Sequence, residues 1–282
     1  MRRRSAVLAL AIAGLAHPVM AGPAAAPDPL RLRYCGLLMG CGLTAPEGWC
    51  PSALSGGVDG VRYDDRRCAE ARELSARGVR NDDPVGYRLY AFLGHRYRVE
   101  YAIDGEVAMS AARLTYLMND LPLAARLLTR YQSTKYAAEY LDPQRRRFRG
   151  RKGGKLTGEA DLIAGGPDER TCWYFGEGTS RIGPWRLRGR SLMRFEFAPV
   201  GTDPRRVAYR IRIVSTPTNA FLNAIMSFGL FRSIVTGEVR EMVEDVTKAS
   251  RALHAAGVAA LRAGVDSSPE DEDKLSALRR LP

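Results

Sequence analysis

The feature that most constrains this chain is a thirteen-residue run of strict alternation, Trp185 to Phe197. Trp185, Leu187, Gly189, Ser191, Met193, Phe195 and Phe197 fall on one side. Arg186, Arg188, Arg190, Leu192, Arg194 and Glu196 fall on the other. A side-chain period of two is that of an extended strand, and a helix of this sequence would scatter both sets around its surface. Arg206–Val214 repeats the pattern, with Val207, Tyr209, Ile211 and Ile213 opposite Arg210 and Arg212. Lys135–Asp142, Lys155–Ala164 and Arg170–Glu177 are further strands, separated by Gly, Pro and Asp clusters. Together they predict an antiparallel sheet with one apolar face and one charged, solvated face. Glu139, Glu159, Asp161 and Glu196 are available to the arginines as cross-strand partners. Gly176-Glu177-Gly178 reads as a bulge or turn at a strand end.

The elements on either side are of other kinds. Arg96–Val107 reads as a first strand with a turn signal at Asp104-Gly105. Ser110 to Tyr131 has helical spacing, and Asn119-Asp120-Leu121-Pro122 in its middle marks a break, a cap and a proline-initiated second helix. After Pro217 a long helical pattern runs from Asn219 to about Ala256. Phe221, Ile225, Phe228, Val235, Val239, Met242, Val246, Ala249 and Leu253 lie on one of its faces. In its first half Leu222, Met226, Leu230, Phe231 and Ile234 widen the apolar stripe. Residues 257–282 turn polar and acidic and read as a flexible tail.

The N-terminus carries a different message. Arg2, Arg3 and Arg4 precede an apolar stretch of about a dozen residues, Ser5–Ala16, and Val19-Met20-Ala21 has the form of a cleavage site. This is the pattern of a secretory signal peptide, removed after Ala21. The apolar stretch is shorter than the roughly 18–20 residues a membrane span needs. Four of the five cysteines, Cys35, Cys41, Cys50 and Cys68, cluster in a Gly-, Pro- and Ser-rich segment with little periodicity. In an oxidising compartment these read as two disulfides, with three connectivities open. Their spacings and the want of nearby histidines do not fit a zinc module. Leu38-Met39-Gly40-Cys41 has the look of a lipobox but stands well beyond the apolar stretch. Cys172 lies in an apolar run and reads as a buried small hydrophobe.

The 282 residues carry a net charge of +12 and contain three histidines. No nucleophile-elbow, zincin, Walker or dinucleotide motif occurs, and no cofactor or metal is expected. His95 and His254 read as structural or exposed. Arg145, Arg146, Arg147, Arg149, Arg151, Lys152 and Lys155 put seven cations in eleven residues, between two strands. They read as a protruding hairpin, either a solvated turn or a docking patch for an anionic surface such as phospholipid headgroups. Nucleic acid is disfavoured by export and by the single interleaved aromatic, Phe148.

The order of strand, two short helices, five or more antiparallel strands and a long terminal helix resembles the START-like helix-grip (SRPBCC) superfamily. The resemblance spans about residues 95–256. It rests on that order, on the helix pair containing Met118-Asn119-Asp120-Leu121-Pro122 and on the helix after Pro217. It implies an α+β fold in which a curved antiparallel sheet wraps a long C-terminal helix around a cavity for a hydrophobic ligand. The signal peptide (1–21) and the cysteine-bearing extension (22–94) are outside the family pattern. Trp173, Phe175, Trp185, Leu187, Met193, Phe195, Tyr209 and Ile211 on the sheet, with Phe221, Ile225 and Phe228 on the helix, are the expected lining. A non-catalytic carrier or sensor of a lipid-like ligand is the leading expectation. A cyclase- or hydrolase-type enzyme using the same cavity, and a cell-envelope interaction scaffold with a filled core, are the alternatives. Oligomeric state is not legible.

Overall fold

Alternating β-branched, aromatic and arginine residues produce the expected sheet, in a computed structural model that describes residues 28–50, 63, 65–95, 99–132, 135–144, 146–166, 169–182, 185–218, 230–256 and 269–282. Among the described residues, seven strands form one antiparallel sheet. They are β1 (Val99–Val107), β2 (Tyr136–Asp142), β3 (Arg147–Lys152), β4 (Leu156–Ala164), β5 (Thr171–Ile182), β6 (Trp185–Val200) and β7 (Asp203–Pro217). The spatial order is β1-β7-β6-β5-β4-β3-β2. Successive hairpins lay down β2 to β7, and β1 closes the far edge against β7. Seven helices are found among the described residues. The first three, α1 (Pro29–Gly40), α2 (Asp65–Ala76) and α3 (Pro84–Leu93), precede the sheet. Two more, α4 (Ala111–Asn119) and α5 (Leu121–Tyr131), lie between β1 and β2. The last two are α6 (Leu230–Ala256) and α7 (Pro269–Arg280). The architecture is α+β, as expected.

The α4–α5 break forms as its sequence dictates. Ser110 caps α4 by accepting from the Arg113 amide, and Asp120 caps α5 by accepting from the Leu123 amide at 3.0 Å. Pro122 in the first turn of α5 sacrifices an amide that has no helical partner anyway.

Several sequence expectations are corrected. Asp104-Gly105 is not a turn. It lies inside β1, opposite Arg210 and Tyr209 of β7. Gly105 is there for space, since a Cβ at that position would sit 2.3 Å from the Tyr209 hydroxyl. Gly176-Glu177-Gly178 is not a strand end either, because β5 runs through it in regular register with Ala160, Glu159 and Gly158. A Cβ on Gly176 would meet the Glu159 carbonyl oxygen at 2.3 Å. The neighbouring backbone closes onto that face, as at a strong bend of a sheet. The basic run is not a free loop, because β3 is made from it. Residues 269–280, expected as tail, are a helix whose Leu275 and Leu278 are fully buried against α4, α5 and α6. Residues 257–268, and residues 1–21 where a signal peptide is expected, lie outside the described residues.

The cysteine-bearing segment holds its own helices. Cys35 bonds Cys50, and Cys41 bonds Cys68. The second bond engages the cysteine of the lipobox-like sequence. Tyr34, Leu37 and Leu38 of α1 pack with Leu74 of α2 and with Leu89, Tyr90 and Leu93 of α3. This layer covers the outer face of the sheet, which was expected to be solvated. It meets Trp173, Phe175, Leu192 and Val214 there, with Phe92 and Phe175 ring centroids 5.4 Å apart.

Most of the outer-face arginines find carboxylates among the described residues. Arg190 and Arg188 pair with Glu177, Arg210 with Asp104, and Arg194 with Glu196. Arg194 and Arg212 also reach helix α2, at Glu73 (2.9 Å) and Glu70 (2.6 Å).

Candidate ligand-binding cavity

The inner face of the sheet, the α4–α5 pair and α6 enclose a cavity of about 270 Å³. Met193, Phe195 and Phe197 of β6 and Tyr209, Ile211 and Ile213 of β7 form its floor. Leu114, Leu117 and Met118 come from α4. Leu121, Leu127, Leu128 and Tyr131 come from α5. Val239, Met242, Val243, Val246, Ala249 and Leu253 of α6 close the opposite side, following the 3.6-residue stripe that the sequence displays. Among the described residues, no charged side chain lines it. Four methionines among the lining residues, Met109, Met118, Met193 and Met242, give it an adaptable wall.

Its few polar atoms are mostly withdrawn. The Ser250 hydroxyl donates to the Thr247 carbonyl at 2.8 Å. Tyr209 bonds Thr247, and burial pushes its hydroxyl above the ordinary range. The Tyr174 and Tyr131 hydroxyls are buried and find no partner among the described residues. Tyr174 is 1% exposed, and burial raises its pKa far above the usual phenol value. Its ring is held edge-on to Phe195 at 5.7 Å.

Helix α6 is fastened to the sheet beside the cavity. The Tyr136 hydroxyl donates to Asp245 at 2.6 Å, and burial beside that carboxylate raises the tyrosine pKa. The Lys152 ammonium, 4% exposed, lies 3.1 Å from Glu238 and 3.0 Å from Glu241.

The expected lining residues therefore divide. Met193, Phe195, Tyr209 and Ile211 come together at the cavity. Trp173 and Phe175 do not, because they face the N-terminal helices on the other side of the sheet. Their strand neighbours Cys172 and Tyr174 take the inner face instead. Cys172 is a free thiol, fully buried and pushed up to about 11 by that burial. Leu187 shares the inner face but lies outside the lining. Six residues of strand separate it from Met193, about 20 Å. The side chains of Trp185, Phe221, Ile225 and Phe228 lie outside the described residues. Sequence reading missed the whole α4–α5 contribution, although its apolar spacing was visible.

The basic run divides as well. Lys152 points inward to α6. Arg146 donates to Asn119 at 3.0 Å and to the Gly165 carbonyl at 3.2 Å, tying the α4 terminus to the β4–β5 turn. Arg147 and Arg149 both pair with Glu159, and Arg149 also reaches Glu139. Arg151 and Lys155 are exposed, and Arg145 lies outside the described residues. The run is thus largely spent on internal pairs rather than presented as one patch.

Antiparallel sheet, helix pair and long helix around an apolar cavity define a helix-grip α+β protein. Solved structures with similar backbones include Ara h 8.0201, with 8% identity and a TM-score of 0.42 over 57% of this chain and 100% of that one. A conserved protein from Geobacillus kaustophilus has 9% identity and a TM-score of 0.40, over 56% and 97% of the two chains. A START superfamily protein from Mycobacterium smegmatis has 15% identity and a TM-score of 0.30, over 51% and 98%. No protein-family model matches the chain, and no curated protein matches its sequence.

Proposed function

We propose that this protein binds a hydrophobic small molecule, or the apolar chain of a lipid, in the cavity between sheet and α6, as a START-like carrier or sensor. One observation carries the reading: a cavity of about 270 Å³ with an almost wholly apolar lining. Void of this kind has a cost. An unfilled apolar cavity forfeits packing contacts, so its presence in a folded chain favours an occupant. Apolar concavities of this order are typical of small-molecule sites. The two disulfides fit an oxidising compartment, which supports export to the cell envelope or beyond.

The test is native mass spectrometry with solvent extraction on protein purified from an oxidising compartment. A co-purifying apolar ligand near one-to-one supports the proposal and identifies the ligand. An apo mass that takes up no hydrophobic ligand on titration overturns it.

A further inference from the structure

A second pocket, of about 510 Å³, shares Val107 with the apolar cavity. Its character is opposite. Arg205 and Arg206 at the start of β7, and Arg251 and His254 on α6, line it together with Glu106 and Asp203. The two α6 residues alternate with Ser250 and Leu253, which line the cavity. The two pockets therefore meet along β1 and along one turn of α6.

The charges in the second pocket are unevenly satisfied. Arg206 pairs with Glu106. The Asp203 carboxylate accepts from the Arg205 backbone amide at 2.9 Å. The guanidinium groups of Arg205 and Arg251 have no carboxylate partner among the described residues. Most other arginines on the sheet do have one, so cations left over beside an apolar cavity are a distinct feature.

Resting on the cavity reading above, we infer that the ligand is a single-chain amphiphile with an anionic head. Its tail occupies the apolar cavity, and its carboxylate or phosphate lies across Val107 against Arg205 and Arg251. Among the described residues the cavity lining carries no cation to pair with a charged head, and burying one there uncompensated is strongly unfavourable. The vestibule keeps the head in water beside two cations, where attraction is modest and screened by salt. At about 30 Å³ per water-sized volume, the cavity holds roughly nine such volumes, which suits a chain of about ten carbons.

The experiment uses the mature chain and displacement of the neutral fluorophore N-phenyl-1-naphthylamine. Decanoate, decyl phosphate, decanol and decyltrimethylammonium are compared at low salt. The anions are expected to bind about three- to tenfold more tightly than the cation. A preference for decyl phosphate alone or decanoate alone also supports the site and assigns the head. Arg205→Glu/Arg251→Glu is expected to reverse the order, and Arg186→Glu, on an exposed part of β6, to leave it as it was. Circular dichroism checks that the variants fold. Equal binding of cation and anion, or a preference untouched by the double variant, overturns the head site while decanol binding upholds the cavity. Failure of all four ligands, decanol included, overturns both.

Discussion

Arg212 on the outer face of β7 meets Glu70 of α2 at 2.6 Å, with the carboxylate side chain only 5% exposed. The pair joins the N-terminal helices to the sheet at a place where neither charge has ready access to water. Removing one partner of such a pair leaves the other uncompensated. Glu70→Ala is expected to destabilise the fold by about 3 kcal/mol. Glu100, 3.5 Å from the same guanidinium, offsets part of the loss. Urea unfolding measures it. A change within about 0.5 kcal/mol, the ordinary range for a surface substitution, would show the junction to be peripheral.

The disulfides hold the same layer. They close intervals of 15 and 27 residues, and chain-entropy arguments give about 3–4 kcal/mol for each. Reduction is expected to loosen α1 and α2 and admit water to Trp173, which is 2% exposed beneath them. A red shift of tryptophan emission on adding dithiothreitol is the readout. Cys172 is not in that layer, and its thiol should resist alkylation until the whole domain unfolds.

How much was legible follows from which faces of an element are buried. β6 and β7 show clean alternation where one face is charged, and the helix pair announces its own caps. β5 buries Cys172, Trp173, Tyr174 and Phe175 in succession, so parity groups Trp173 with Phe175 but does not say which group faces the helix. Helix α1 likewise buries Tyr34, Cys35, Gly36, Leu37 and Leu38 in one run, which erases the 3.6-residue signal. Its segment therefore reads as irregular. The basic run misleads for another reason. Composition shows its cations, while Glu159 and Glu238 that neutralise several of them come from elsewhere in the chain.

Two acids on the outer face of β4 should titrate in opposite senses. Arg149 and Arg147 lower the Glu159 pKa below its ordinary 4.5. Its contribution to stability is present above that pH and lost as pH falls through the lowered value. Glu159→Gln should therefore cost stability at pH 7 and little in strong acid. Burial raises the Asp161 pKa above 3.8, and Arg147 and Arg88 only partly oppose this. The folded state then binds more protons than the unfolded one, so stability falls as pH rises through that window. Asp161→Asn should stabilise at pH 7, with the gain shrinking toward pH 3. Melting curves of both variants from pH 3 to 7 would reveal parallel slopes if the two environments were alike.

Tyrosines 136 and 174 provide a matched pair. The Tyr136 hydroxyl satisfies Asp245, which is 7% exposed, and Tyr136→Phe should cost about 2 kcal/mol by orphaning that carboxylate. The Tyr174 hydroxyl is buried without a partner among the described residues. Tyr174→Phe should be neutral or stabilising by up to about 1 kcal/mol. A loss comparable to that of Tyr136→Phe would show that the Tyr174 hydroxyl is satisfied in solution.

The last prediction separates binding from folding. Ala249 of α6 is 7% exposed and faces the cavity. Ala249→Trp places an indole where the ligand is proposed to lie. Uptake of N-phenyl-1-naphthylamine should fall at least about tenfold, while overpacking costs about 1–3 kcal/mol. Leu192, 2% exposed, packs on the opposite side of the sheet with Trp173 and Val214. Leu192→Ala should cost about 2–5 kcal/mol through the void it leaves, yet retain uptake at temperatures where the variant is folded. If Ala249→Trp binds the probe as the parent does, the probe sits elsewhere and the cavity is not the site. If Leu192→Ala loses uptake while folded, the outer layer shapes the cavity through the sheet, and the two faces act as one unit.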